Sequence, residues 1–494
     1  MNNLFHAVLT RRITKTRIPP YVALIPVCAG VFIAADDQTV VVTILPQIII
    51  DMGLGPYELD RVAWTITGYL LGYVSAMPLI GRLSDVWGHR KLFILSMVLF
   101  MVGSAAVALT TRLDFLIAAR IFQAVGAGAL VPISIAIVGD IFPQGHRGLP
   151  LGIVGASVEA GAVVGPLCGG VITKFLDWQW VFWINIPLGI VVLLGLVIFL
   201  RPSPRCQAAV DYQGGCLLVL ALVTLTLGLV RVSDPDILMT GYLLVSVFSL
   251  GFFVLHQRLV SEPLLPVAMI RGWAFGAANV THLLVGGALI IGMVTVPLMA
   301  NTVLGLTPLD GGLQLMRLTI AIPAGAVLGG IACQRLGYSP PTILGLVLAA
   351  LGFWFMSGWG LTIGDPEMTI HLFTTGLGFG LVIAPIALAA TDSVSPEFRG
   401  AAAGLITAMR MLGMTVGLAI LTAWGSWRFQ GLVAKVPNFL VGETTEQAQQ
   451  RVMGEGVAAG LSLFNDFYLV AMVVCLIAII PATLMFGSHA RKDS

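Results

Sequence analysis

Charged residues are scarce in this chain. Only 10% of its 494 residues are Asp, Glu, Lys or Arg, whereas 57% are hydrophobic. A soluble domain carries roughly a quarter charged residues. The composition therefore excludes an ordinary soluble protein and favours a chain surrounded by lipid. The formal net charge of +2 is too small to indicate a nucleic-acid partner.

The residue patterns of common metal, redox and nucleotide sites are also missing. The six cysteines are far apart and form no CxxC pair, which argues against a metal or disulfide framework. The seven histidines form no HxxxH or HExxH pattern, so a membrane enzyme is only a minor alternative. The sequence has no Walker loop, which argues against ATP as the energy source. We expect no metal and no cofactor.

Long apolar runs fill most of the sequence. A membrane-spanning helix needs about 20 apolar residues, and fourteen runs of this kind predict an all-α membrane protein with fourteen transmembrane helices. An even number places both termini on one side. With the N-terminus inside, the inner loops receive roughly twice as many Lys and Arg as the outer loops, so we expect cytoplasmic termini.

Two parts of the chain repeat each other. The segment from Asp140 to Arg147-Gly148 has the same Asp-to-Arg-Gly spacing as the segment from Asp392 to Arg399-Gly400. The loop at 81–88 has a weaker copy at 330–337, in which Gln334 replaces Asp85. Duplicated halves are typical of transporters that hold a site near the bilayer midplane.

The repeat predicts a division into three units. These are an N-terminal six-helix bundle (1–200), a two-helix insert (201–260) and a C-terminal six-helix bundle (261–494). An unusually long outer segment at 424–465 mixes apolar and charged residues. We expect either helices that extend beyond the membrane there or a plain loop.

A few ionisable residues lie inside the predicted helices, where they are costly unless they are paired or functional. Asp36 and Asp37 are in the middle of the first helix. Glu159 is about 18 Å along the fifth helix and Arg410 about 16 Å along the thirteenth, both measured from the inner side. We expect Arg410 to be the counter-ion of Asp37, Glu159 or both, and this set to carry protons. A permanent ion pair is the alternative.

Three further polar residues are candidates for a central cavity. Arg120 also belongs to the predicted proton-coupling and ion-pair set, and it either faces the cavity or caps backbone carbonyls near the outer surface. Gln123 is a candidate on the same helix. His282 titrates in a useful range, although a lone histidine on an apolar helix is more often a packed residue.

The inner loop between the second and third helices contains residues suited to a gate. Asp85 could accept hydrogen bonds from helix N-terminal amides or from an arginine of the neighbouring bundle. Such a latch would hold the inner side shut; a topology signal without a latch is the alternative. The predicted gate residues are Gly81, Arg82, Asp85, Gly88 and Arg90.

The fifth helix carries glycines at helical spacing. Gly161, Gly165 and Gly169 share one face, which lets another helix approach closely. Pro166 removes one backbone hydrogen bond and permits a bend. We interpret this segment as a packing hinge.

These motifs together resemble the major facilitator superfamily. The residues Gly81 to Lys91 are similar to its helix 2–3 loop, Arg120 to Gly126 to its fourth-helix motif, and Gly161 to Gly170 to the fifth-helix motif of its antiporters. The phrase from Trp180 to Pro187 resembles the fourteen-helix drug:proton antiporter branch. The resemblance implies the major facilitator fold, with two six-helix bundles around a substrate path.

A closer likeness is to the mycobacterial triacylglycerol exporters, carried by Asp37, Glu159, Arg410 and the long outer segment. It implies proton-driven export of apolar or amphipathic compounds, with Asp37 as the favoured proton carrier. It also implies a monomer in a bacterial cytoplasmic membrane and an outer lipoprotein partner. Multidrug efflux is the alternative, and a passive channel is a minor one.

Overall fold

The computed structural model describes residues 19–53, 59–202, 210–232, 235–266, 269, 272–434 and 444–485. These residues form helices and connecting turns, with no strand among them. They contain fourteen membrane-length helices, so the prediction of an all-α, fourteen-helix membrane protein is confirmed.

We number these helices α1 to α14, and two of them consist of two consecutive segments. The helices before residue 260 are α1 Pro20–Asp51, α2 Leu59–Trp87, α3 His89–Leu109, α4 Leu113–Ile141, α5 Gly148–Phe175, α6 Gln179–Trp183 with Asn185–Phe199, α7 Tyr212–Val230 and α8 Ile237–Leu259. The remaining helices are α9 Trp273–Thr302, α10 Pro308–Thr319 with Ala321–Leu336, α11 Ser339–Met356, α12 Asp365–Asp392, α13 Arg399–Val433 and α14 Thr445–Thr483.

Thirteen of these fourteen helices are long and apolar enough to cross a membrane. The remaining one is α2, which carries charged residues near both ends, among them Arg61 and Asp85. Residues 81–87 are helical, so the predicted loop is reduced to Gly88 between α2 and α3. We call the side of the molecule with Gly88 the inner side and the opposite side the outer side.

Asp211 connects the two helices of the insert, α7 and α8. Its carboxylate accepts the backbone N–H of Gly214 at 2.8 Å and so caps α7. It also lies 2.9 Å from Nε2 of His256 and accepts Nε2 of Gln257 at 2.6 Å, and both of these residues are at the end of α8. Burial raises the pKa of Asp211, but these hydrogen bonds outweigh it and lower the pKa below its usual value.

The two six-helix groups are α1–α6 and α9–α14, and the insert consists of α7 and α8. Each group packs mainly through contacts among its own helices. In the first group α1 packs against α5 and α4 against α2 and α3, while in the second α9 packs against α13 and α12 against α10 and α11. The insert helices pack on each other, and α7 also contacts α2 and α13. Leu218, Leu222 and Phe253 of the insert share a buried cluster with residues of the second group. The exact division at 200 and 260 stays a prediction.

The two groups meet along α2 with α13 and along α5 with α10. At the inner end of each contact, two glycines face each other. A Cβ atom on Gly81 would collide with the carbonyl of Gly400, and one on Gly148 would collide with the carbonyl of Gly330. These four glycines lie in the repeated segments, so the same close backbone contact is built twice.

The last two helices are longer than a membrane requires. α13 has 35 residues and α14 has 39, against about 20 needed to span. Near their outer ends Nε of Arg428 donates to Asp466 at 3.0 Å. The rings of Trp424 and Phe467 meet edge to face, 5.5 Å apart. In the described part of the 424–465 segment, the structure is therefore helical and not a plain loop.

Several residues used to predict topology lie outside the described residues. They are Arg11, Arg12, Lys15 and Arg17 before α1, Arg205 between α6 and α7, Arg271 before α9, Lys435 between α13 and α14, and Arg491 and Lys492 after α14. Cys206, one of the six cysteines, lies outside the described residues as well.

The contact between α1 and α5 gives a matched test of close packing. A Cβ atom on Gly169 would collide with Thr43 and Val40 of α1, whereas one on Gly170 would meet nothing within 4 Å. Gly169→Leu should therefore cost about 1–3 kcal/mol of stability through overpacking. Gly170→Leu should cost much less, because its side chain points away from α1. Thermal unfolding in detergent measures both, and equal losses would contradict the packing assignment.

Candidate functional site

Asp37 is the centre of a buried polar network inside the first six-helix group. Its side chain is 1% exposed. Oδ2 accepts a hydrogen bond from Nη1 of Arg120 at 2.7 Å, and Oδ1 accepts one from Nε2 of Gln123 and one from Nδ2 of Asn185, both at 2.9 Å. A carboxylate with one cation and two amide donors is well compensated in an apolar medium. The network joins α1, α4 and α6.

Aromatic rings complete the surroundings of Arg120. Its guanidinium lies 4.0 Å from the ring centroid of Tyr69 and 5.5 Å from that of Phe182. It also donates to Oε1 of Gln123 at 2.8 Å. Arg120 is therefore a buried partner of Asp37 and does not extend to the surface. Asn185 was not predicted as a site residue; its signal was a single amide within an apolar run.

Asp36 is the neighbour of Asp37 but has a different environment. The structure shows no ion-pair partner for it among the described residues, and its Oδ1 atom is buried without a hydrogen-bond partner. The thiol of Cys168 on α5 lies beside the carboxyl group. Adjacent helical residues point about 100° apart. Asp36 consequently faces α5, while Asp37 faces α4 and α6.

Glu159 and Arg410 form an ion pair between the two six-helix groups. Nη2 of Arg410 on α13 donates to Oε1 of Glu159 on α5 at 2.5 Å. Their side chains are only 10% and 13% exposed. Of the two carboxylates considered as partners of Arg410, the structure places Glu159 beside it and Asp37 beside Arg120. This buried ion pair connects one half of the molecule to the other.

The Glu159–Arg410 pair borders a largely apolar cavity between the halves. The cavity is lined by side chains of α4, α5, α9, α12 and α13, namely Val131, Ile135, Leu151, Val154, Gly155, Val158, Glu159, His282, Ile383, Ala387, Ile406, Thr407 and Arg410. His282 is thus at the cavity and is also packed, because its Nδ1 atom bonds the carbonyl of Ile406 at 2.7 Å. Gln123 lies within the Asp37 network and is not part of this lining.

Asp85 binds the other half at the inner side. Its Oδ1 atom accepts the backbone N–H of Gly400 at 2.7 Å, and Oδ2 accepts that of Ala401 at 3.0 Å. Both amides lie at the start of α13, where unpaired N–H groups and the helix dipole favour an anion. Arg82 adds a bond from Nη1 to the carbonyl of Glu397 at 2.7 Å. The side chain of Asp85 therefore joins the halves through charge-assisted hydrogen bonds, and its role as a latch stays a prediction.

The remaining inner-loop residues have separate contacts. His89 lies between two carboxylates, with Nδ1 2.7 Å from Asp140 and Nε2 3.2 Å from Asp85. Gly88 has φ +94°, a backbone conformation that favours glycine, directly before α3. Arg90 donates to the carbonyl of Val197 at 3.0 Å, within its own half. No cluster of His, Cys, Asp or Glu suited to a metal occurs among the described residues.

The repeated copy of the inner side uses different bonds. Nη1 of Arg147 pairs with Asp392 at 2.5 Å, and the hydroxyl of Tyr338 donates to the same carboxylate at 2.9 Å. Gln334, at the position equivalent to Asp85, makes only a 3.4 Å contact with the carbonyl of His146. The two copies therefore hold the halves together with unequal chemistry.

The glycines of α5 lie against α1. Cβ atoms on Gly161 and Gly165 would collide with the carbonyls of Phe32 and Asp36. α5 continues as one helix through Pro166. The glycine face is therefore a packing surface within the first half, and its role as a hinge stays a prediction.

Comparison with known proteins identifies the family. The profile described as Major Facilitator Superfamily matches residues 27–418. The chain belongs to the major facilitator superfamily. Its fold is accordingly the major facilitator fold with a two-helix insert, as predicted, and the protein is a multi-pass membrane transporter.

Similar superfamily members include three mycobacterial proteins. The chain is 35% identical to a triacylglyceride transporter of Mycolicibacterium hassiacum, over 94% of this chain and 92% of the relative. It is 34% identical to one of Mycolicibacterium smegmatis (94% and 87%) and 33% identical to one of Mycobacterium tuberculosis (94% of each).

Solved structures of the superfamily share the fold. The human organic anion transporter MFSD10 superposes with a TM-score of 0.63 at 16% identity, covering 92% of this chain and 99% of that one. The proton:xylose symporter XylE superposes with a TM-score of 0.62 at 13% identity, covering 92% and 94%.

The Asp37 network predicts that substitutions of Asp36 and Asp37 reduce stability by unequal amounts. Asp37→Asn leaves the buried guanidinium of Arg120 without its anion, which typically costs about 3–5 kcal/mol. Asp36→Asn is the matched control, because the structure shows no cation beside Asp36. Thermal unfolding of the purified transporter should show a large loss only for Asp37→Asn. A larger loss for Asp36→Asn would contradict the described network.

If Asp85 acts as a latch, its loss should increase the fraction of molecules that are open at the inner side. Asp85→Ala removes two hydrogen bonds to a charged group, each worth about 1.5–3 kcal/mol, so the open-to-closed ratio of the inner side should rise at least tenfold. Gln334→Ala, at the repeated position, should change it little. Distances between spin labels at the exposed positions Lys91 and Arg335 report the opening. Equal distance distributions for the two variants would argue against the latch.

Proposed function

We propose that this transporter exports apolar or amphipathic lipid, such as triacylglycerol, by proton-driven alternating access. The observation that carries the proposal is the Glu159–Arg410 ion pair, which joins the two halves at a buried cavity. The printed names of its relatives, triacylglyceride transporters, support lipid as the substrate class.

Protonation of Glu159 is the proposed coupling step. A proton on the carboxylate removes its charge and with it most of the attraction to Arg410. The halves then lose their buried ionic contact at the cavity and can rotate apart on one side. Loss of the proton on the other side restores the pair, so each cycle carries a proton in one direction and substrate in the other.

The two aspartates of α1 have different proposed roles. Asp37 and Arg120 form a compensated pair inside one half, so they keep the geometry of that half during rotation. Asp36 has no cationic partner in the described structure, which makes it the more suitable of the two to accept a proton. The proposed proton-handling set is therefore Asp36 with Glu159, supported by the Asp37–Arg120 network.

The cavity favours lipid over cationic drugs as cargo. Most of its lining is aliphatic, and its one carboxylate is already neutralised by Arg410. A multidrug proton antiporter is the second candidate, because Glu159 could attract a cation once Arg410 is released.

The proposed setting is the cytoplasmic membrane of a bacterium, with a monomer whose termini are cytoplasmic, as the basic inner loops favour. The helical outer ends of α13 and α14 project beyond the length needed to span. They offer a surface from which lipid could pass to an outer lipoprotein partner.

Reconstitution of the full chain in liposomes tests the function. A proton gradient should drive movement of a fluorescent triacylglycerol but not of a cationic dye, and an uncoupler should abolish the effect. Glu159→Gln should reduce transport to the rate without a gradient, because the pair can no longer respond to protons. Asp114→Asn, which neutralises an exposed outer carboxylate, is the control and should behave as wild type.

Lipid movement that an uncoupler leaves unchanged would reject proton coupling. Gradient-driven movement of the dye alone would favour the drug-efflux alternative.

A further inference from the structure

Two polar atoms at the cavity between the halves have no hydrogen-bond partner in the described structure. They are Nε2 of His282 and Nε of Arg410, and both side chains line the same cavity. His282 is only 6% exposed, so its free nitrogen is not solvated by bulk water. Buried polar groups are nearly always paired, so these two atoms have hydrogen-bonding capacity that the described contacts leave unused.

The packing of α9 on α13 places His282 close to Arg410. A Cβ atom on Gly286 would collide with the carbonyl of Arg410, so the two backbones touch at this level. His282 and Ile406 each lie four residues, about one turn, before those two positions, and they are bonded to each other. The imidazole therefore occupies the same face of α9, one turn from the Arg410 backbone.

The hydrogen bond to Ile406 determines whether Nε2 of His282 is a donor or an acceptor. A backbone carbonyl only accepts, so Nδ1 of His282 must carry the hydrogen of that 2.7 Å bond. In the neutral imidazole Nε2 then bears a lone pair and acts as an acceptor. The guanidinium of Arg410 has only donors. The two unpartnered atoms are chemically complementary.

We propose that Nε2 of His282 accepts a hydrogen bond from the Arg410 guanidinium when a proton on Glu159 releases it. This inference rests on the proposed function, in which Glu159 takes up the proton. His282 acts as a positioning residue and does not itself exchange the proton. The only covalent change is the O–H bond that forms when the Glu159 carboxylate takes up a proton. One N–H···O hydrogen bond from Arg410 then breaks, and one N–H···N hydrogen bond forms.

The exchange moves Arg410 from a partner on the opposite half to a partner on its own half. Glu159 belongs to α5, whereas His282 and Arg410 both belong to the second six-helix group. A guanidinium released into an apolar cavity without an acceptor is strongly unfavourable. With His282 available, the halves can separate without leaving Arg410 unpaired, so proton uptake is converted into motion.

Two substitutions of His282 separate hydrogen bonding from packing. His282→Gln retains both functions, because its amide N–H can donate to Ile406 while its carbonyl accepts from Arg410. His282→Phe keeps a ring of similar size but has no acceptor. In the same liposomes, proton-driven lipid transport should fall roughly tenfold in His282→Phe, the effect of leaving one buried donor unpaired, and stay within about threefold of wild type in His282→Gln.

Spin-label distances across the inner side give a second readout of the same variants. His282→Phe should remain in the closed state at a pH where wild type and His282→Gln open. If His282→Phe does not fold, His282→Leu supplies an apolar side chain of smaller volume.

The outcomes are distinguishable. Wild-type transport in the apolar variant overturns the inference, as does an equal loss in His282→Gln. Glu159→Gln, measured alongside, separates this from the proposed function: if that variant keeps its proton coupling, the proposed function itself fails. If Glu159→Gln loses coupling while the apolar variant keeps it, only the role of His282 is rejected.

Discussion

An ionised side chain inside a membrane is unfavourable unless another charge compensates it, and this constraint organises the transporter. Among the buried pairs of the described structure, Asp37–Arg120 and Glu159–Arg410 differ in which parts of the molecule they connect. Asp37–Arg120 lies within one half, so no rigid motion of the halves can break it. Glu159–Arg410 joins the halves, so any separation at the cavity must break it. Of these two pairs, only the second can therefore link the proposed proton uptake to a relative motion of the halves.

At the inner side, the two repeated copies join the halves through unequal contacts. Both copies bring glycine backbones together, at Gly81 with Gly400 and at Gly148 with Gly330. One copy has Asp85, which binds helix amides, while the other has Gln334 at the equivalent position. The Arg147–Asp392 pair strengthens the second contact instead. The backbone geometry is conserved between the copies, and the electrostatic part has diverged.

Much of the candidate site could be predicted because the depth of a residue in the membrane follows from its position along its own helix. Counting residues along a helix placed Glu159 and Arg410 at similar depth, and the structure shows them in contact. The alternative partner, Asp37, could not be excluded in this way, because depth says nothing about rotation around the helix axis. The contacts of Arg120 and the membership of Asn185 in the Asp37 network depend on that rotation as well.

The sequence by itself determined the number of membrane helices, their order, the repeat and the set of buried charges, since apolar length and residue type are read directly along the chain. It also determined that glycine faces would allow close approach. Tertiary structure alone decided which charged residues form pairs. It also decided that one ring nitrogen of His282 is hydrogen-bonded while the other has no partner in the described structure. The physical reason is that pairing depends on how α1, α4, α5, α9 and α13 are rotated against each other, and segments far apart in the chain set those rotations by backbone contact.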